Sequence, residues 1–295
     1  MSRRLRKLGW LPASLFTSIK PVLKFSLTIA FTSSVWVLIT QSDKLVLSKL
    51  LPLADYGYFT LAALAASGVM LISSPISGAL LPRMARLEAE GNEAGLVNLY
   101  RNATQAVAVV AIPACLVLVF FAEKVIWAWT GDANAAKEAA PVLRLYATGN
   151  GFLAIAAFPY YLQFAKGDLK LHLIGNTIFV LLLLPALMWA TLRYGAMGAG
   201  YAWLTANAMY FFAWVPLVHR RFVKGLHCQW LVQDLIMILI PGLITASAFH
   251  KFLLWPETRI DVLVFIVVVS LVLLTLSTAG AGRVRAIIWL QVKQH

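Results

Sequence analysis

Long apolar runs, broken by short polar stretches, recur along the whole chain. Eight are long enough to cross a bilayer: about 22–42, 56–81, 102–122, 140–164, 171–192, 195–217, 233–253 and 260–281. Each is near the roughly 20 residues that a helix needs to cross hydrocarbon. They lack the two-residue alternation of barrel strands. Backbone in lipid must bond to itself, so the runs predict helices. The pattern predicts an all-α, polytopic integral membrane protein with about eight transmembrane helices. Only Arg193-Tyr194-Gly195 separates the fifth run from the sixth, which predicts a tight turn. The longest polar stretch, "PRMARLEAEGNEAGLVNLYR" at 82–101, has mixed charges and helical spacing, and predicts a short helix–turn–helix connection.

Five segments follow: a basic cytoplasmic segment at 1–21, a six-helix lobe at 22–217 and a basic cytoplasmic loop at 218–232. Two additional helices at 233–282 and a cytoplasmic tail at 283–295 complete the chain. With the N-terminus inside, the inner segments hold 17 of the 25 Lys and Arg residues, from Arg3 to Lys293. Positive residues collect on the cytoplasmic side, so both termini are expected there. The basic start "MSRRLRKLGWLPASLF" reads as a retained segment, because its apolar stretch is short and interrupted by Pro12.

Composition agrees. Hydrophobic residues make up 61% and charged residues 13%, against about 25% charged in a soluble domain. Mean hydropathy is +0.80. The net charge of +13 is that of basic loops and points to no nucleic acid. Cys115 and Cys228 suggest neither a disulfide nor a metal site. His172, His219, His227, His250 and His295 show no metal-ligand spacing. Walker loops, HExxH and GxSxG are absent, so no catalytic residue, metal or cofactor is assigned and the chain reads as a non-enzyme.

Polar residues inside the spans are the sharper signal. Asn150 and Asn207 fall near mid-membrane by residue count, with Gln163 and Asn176 nearer the inner face. Lys24 opens the first span, and Arg144 lies about a turn and a half into the fourth. An interhelical hydrogen bond explains an Asn or Gln equally well, and snorkelling explains Lys24 and Arg144. The alternative is a polar cavity for a hydrophilic, anionic cargo, formed by Lys24, Arg144, Asn150, Gln163 and Asn207. Asp43, in "ITQSDKLVLSKLL", is placed at the outer end of the first span, as a structural boundary or an ion-coupling group. "YGAMGAG" at Tyr194–Gly200 has small residues at close-packing spacing.

The order of these features resembles the polysaccharide flippases that export O-antigen and related lipid-linked sugars. They belong to the multidrug/oligosaccharidyl-lipid/polysaccharide exporter superfamily. The resemblance rests on "ITQSDKLVLSKLLPLADYGYFTLA" and "SPISGALLPRMARLEAEGN", then on "GNGFLAIAAFPYYLQFAKGDLKLHLIGN" and "LRYGAMGAGYAWL". It covers roughly residues 20–225. It implies one lobe of a two-lobe fold plus two extra helices, with the cargo cavity between lobes. A first lobe, as further chain or as a partner, is therefore expected. The implied activity is alternating-access translocation of an undecaprenyl-diphosphate-linked oligosaccharide across a bacterial inner membrane, as in lipopolysaccharide assembly. A drug/cation antiporter of the same superfamily, a membrane glycosyltransferase and a non-transporting assembly partner stand as alternatives. The antiporter favours acids deep in the spans, and none lies at mid-membrane. The transferase favours a large outer loop, and the outer loops are short.

Overall fold

The structure, a computed structural model, describes residues 13–292. Every regular element among them is helical. The long elements are α1 (Ala13–Leu50), α2 (Leu53–Ala89), α3 (Glu93–Phe120), α5 (Ala133–Ala165) and α6 (Lys170–Met209). The short helix α4 (Ala122–Thr130) sits between α3 and α5. A π-helical turn joins α6 to α7 (Val215–Phe222). A second joins α8 (Leu226–Gln229) to α9 (Met237–Phe252), and α10 (Arg259–Gly280) and α11 (Gly282–Val292) follow.

The breaks have local causes. Asn92 caps α3 by accepting from the Gly95 N–H at 2.8 Å. Asp132 caps α5 by accepting from the N–H groups of Asn134 and Ala135. Such caps satisfy donors that a helix leaves free at its first turn. The 82–101 stretch is helical on both sides of a turn at 90–92, as its spacing predicts.

Four helical stretches among the described residues are long and apolar enough to cross a membrane: Glu93–Phe120, Lys170–Phe222, Leu226–Phe252 and Arg259–Gly280. The second is 53 residues long and turns at Gly195, whose φ of 58° and ψ of −140° suit glycine. Its two arms then pack side by side. Phe179 meets Tyr210 at 5.9 Å between ring centroids. A Cβ on Gly198 would lie 2.0 Å from the Ala190 carbonyl oxygen, and one on Gly175 would lie 2.4 Å from Trp214. Positions 175 and 214, 179 and 210, and 190 and 198 thus pair as in an antiparallel hairpin. Glycine is what permits this approach, so the small residues of Tyr194–Gly200 serve packing.

α5 is the central strut and packs on α2, α3, α4 and α6. α1 lies against α6, whereas α9, α10 and α11 gather on α3. One core surrounds Tyr100, Phe158 and Trp230, and a second surrounds Phe59, Leu143 and Trp203. A smaller cluster of Leu116, Ala246 and Leu273 holds α9 and α10 to α3. Leu71, Leu181, Leu192 and Ile244 are all more than 60% exposed. In water such a surface would be a large apolar liability, whereas hydrocarbon covers it at no cost. The chain is an all-α membrane protein.

Two details differ from the sequence reading. α1 does not end at Gln41–Lys44 but continues to Leu50. The helix absorbs the charges because Asp43 turns inward while Lys44 donates to the Gln41 Oε1 at 3.0 Å. The nine-residue α4 also has no counterpart among the predicted spans, being too short to cross a bilayer.

Candidate functional site

Asp43 on α1 is only 6% exposed. Its Oδ1 accepts from the Lys44 backbone N–H at 2.7 Å, and its Oδ2 accepts from the Tyr146 hydroxyl of α5 at 3.0 Å. The Tyr146 ring stacks on Trp203 of α6, with centroids 5.9 Å apart and planes 10° apart. The Trp203 indole N–H donates to Asn150 Oδ1 at 2.9 Å. Asn150 Nδ2 then donates to the Ala66 carbonyl of α2 at 2.9 Å. One continuous polar and aromatic rod therefore ties α1, α5, α6 and α2 together.

The six residues singled out from the sequence fall in different places. Asp43 and Asn150 belong to this rod. Asn207 touches it, since its amide donates to the Trp203 carbonyl at 2.8 Å. Gln163 is fully buried, 13 residues beyond Asn150, or about 20 Å along the helix. Its Nε2 donates to the Pro159 carbonyl, and its Oε1 has no partner. Arg144 is on α5 too but on a different flank from Asn150, given 100° per residue. It is exposed, and its guanidinium makes no hydrogen bond or ion pair among the described residues. Lys24 lies on α1 about 28 Å from Asp43 along the axis, and its side chain lies outside the described residues. The described side chains do not converge on one pocket.

A second network escaped the sequence reading. Arg101 of α3 is 3% exposed, and Asp234, in the π-helical turn before α9, is fully buried. The Arg101 Nε donates to Asp234 Oδ2 at 2.6 Å, and Nη2 donates to Oδ1 at 3.0 Å and to Gln233 Oε1 at 2.8 Å. This two-pronged geometry is the strong form of the arginine–carboxylate pair. Gln105, one turn further along α3, donates to Asp234 Oδ1 at 2.9 Å. Its own Oε1 accepts from the Arg283 backbone N–H at 3.0 Å, at the start of α11. The Arg283 side chain reaches Asn102 Oδ1 at 3.1 Å, with its Nε 3.8 Å from Asp234. Burial, and then the charge of Arg101, lower the Arg283 pKa from its usual value, while Asp234 opposes them. Beside this network, the Tyr100 hydroxyl sits 2.7 Å from His219 Nε2, and His219 Nδ1 sits 3.0 Å from His227 Nδ1. No group of three metal-ligating side chains occurs among the described residues.

Arg101 closes the polar stretch at 82–101, Asp234 lies at the start of the run at 233–253, and 133 positions separate them. The available signal was the i, i+4 spacing of Arg101 and Gln105, which puts both on one face of a helix. An arginine on such a face, entering an apolar run, calls for a buried anion.

Residues 8–135 match a family model described as "polysaccharide biosynthesis protein". The match runs from α1 through α4 to the first turn of α5. No curated protein and no solved structure matches the chain. The chain is thus a membrane protein similar, over α1 to α4, to polysaccharide biosynthesis proteins.

Proposed function

We propose that the chain is part of a flippase that carries a polyprenyl-diphosphate-linked oligosaccharide from the inner to the outer leaflet for polysaccharide biosynthesis. The observation that carries this reading is the similarity of residues 8–135 to polysaccharide biosynthesis proteins, located on a chain of long apolar helices. A sugar diphosphate cannot cross about 30 Å of hydrocarbon unaided. Helices that rock about a central cavity supply a path, while the lipid tail stays in the bilayer. In this reading the hairpin arms about Gly195 cross the membrane separately, and α1, α2 and α5 cross as well. The total is then eight spans, with both termini in the cytoplasm of a bacterium. The cavity forms between α1 and α2 and a second lobe, supplied by further chain or by a partner.

A diphosphate needs cations facing it. Arg144 has an exposed guanidinium without a partner among the described residues, and Lys24 is the first charge within the membrane part of α1. Asn150 ties α2, α5 and α6 together, Asn207 bonds within α6 and Asp43 anchors α1 on α5, so their roles in this reading are structural. Arg144→Ala and Lys24→Ala are each expected to lower surface polysaccharide roughly tenfold at unchanged protein level, the loss of one charge-assisted contact. Normal polysaccharide in both variants would remove these residues from the cargo path. The scatter of the candidate residues favours a second reading, a non-transporting assembly partner. That reading predicts that both variants are silent while the chain itself is still required.

A further inference from the structure

At the end of the bundle where α4 meets the start of α10, an open groove of about 470 Å³ runs between α2, α3, α4 and α10. Ala65, Leu118, Val125 and Ile266 form apolar walls, and Trp129 and Arg259 complete the lining. The volume lies within the range of about 300–1,000 Å³ typical of small-molecule sites. Arg259 is exposed, and its guanidinium packs so closely on Gly131 that a Cβ there would lie 2.6 Å from Nη1. Its Nη2 donates to the Ala128 and Trp129 carbonyls at 3.2 and 3.1 Å, at the C-terminus of α4. Those carbonyls carry the negative end of a helix and fix the guanidinium. Among the described residues its Nε and Nη1 have no hydrogen-bond partner and no carboxylate pairs with it.

The neighbouring acids do not compensate for it. Asp132 is committed to the first N–H groups of α5, and Asp261 to the Thr258 hydroxyl. Glu123 and Glu257 are exposed. Lys124 adds a second cation nearby, 5.9 Å from the centre of the Trp255 ring. Trp129 is half exposed beside the guanidinium, and tryptophan is enriched where hydrocarbon meets headgroups. An apolar trough that ends in an anchored, half-used arginine suits an amphiphile with one chain and one phosphate. The volume suits a single acyl chain better than a polyprenyl tail several times longer.

We propose that this groove holds one acyl chain of an anionic membrane phospholipid, with its phosphate beside the Arg259 guanidinium. The site is separate from the cargo path proposed above and stands without it. The test uses the purified full chain, stripped of lipid and titrated in detergent with phosphatidylglycerol, phosphatidylcholine or polyprenyl phosphate. Bound lipid is counted by native mass spectrometry. Phosphatidylglycerol is expected to be retained about tenfold more strongly than phosphatidylcholine, the effect of one charge-assisted contact. Arg259→Gln is expected to abolish that preference. Ala65→Phe, which fills the trough and leaves the α4 cap in place, is expected to reduce retention of both phospholipids. Equal retention of the two, an unchanged preference in Arg259→Gln, or stronger binding of polyprenyl phosphate than of phosphatidylglycerol would each overturn the assignment.

Discussion

Asp234→Asn is expected to be the most damaging single substitution in the chain, at about 3–5 kcal/mol of stability, the usual cost of breaking a buried ion pair from one side. Asp234 is fully buried and is the anion around which Arg101, Gln105 and Arg283 are arranged. Without its charge, the buried Arg101 guanidinium has no anion and the part-exposed Arg283 guanidinium stays close to it, and the α3, α9 and α11 contacts lose their common acceptor. Arg101→Met is expected to cost less, because Arg283 is already 3.8 Å from Asp234 and can take up the free carboxylate. Arg101→Met with Asp234→Leu is expected to recover part of the loss, since no uncompensated buried pair remains. Thermal unfolding in detergent, with protein level in cells as a second readout, ranks the three variants. Equal losses for both single variants would show that Arg283 does not share the anion.

Asn150→Leu is expected to cost about 2–3 kcal/mol. The Trp203 indole N–H loses its acceptor in a buried site, a penalty of about 1–3 kcal/mol, and the bond to the Ala66 carbonyl is lost as well. The loss acts where α2, α5 and α6 meet, so it loosens the rod that also holds Asp43 and Tyr146. Unfolding in detergent measures the cost. Transport activity, normalised to folded protein, separates two roles for Asn150. A structural role predicts near-normal activity per folded molecule. A cargo contact predicts lost activity with stability intact.

Much of the helical plan was legible in the sequence because lipid imposes a simple rule on apolar length. The hairpin about Gly195 was legible because a short polar Arg193-Tyr194-Gly195 break separates two apolar runs. Asp43, Asn150 and Asn207 stood out because polar residues are rare in such runs. Their partners were not legible. Tyr146 and Trp203 lie inside apolar runs where nothing in the pattern marks them, yet they carry the hydrogen bonds that satisfy Asp43 and Asn150. The Arg101–Asp234 pair was hidden for a related reason. Each residue lies at the edge of a run, where charge is unremarkable, and only the packing of α9 on α3 draws both into the interior. The bounds of α1 failed on the same point, because Gln41–Lys44 looked like an exit to water until Asp43 was seen facing Tyr146.

The measurement that bears most directly on the proposed function is the amount and sidedness of lipid-linked oligosaccharide in cells lacking this chain. A translocation role predicts that the precursor accumulates on the cytoplasmic leaflet while surface polysaccharide falls. Loss of the precursor together with the surface polymer would place the chain in sugar synthesis, and unchanged levels of both would contradict the account.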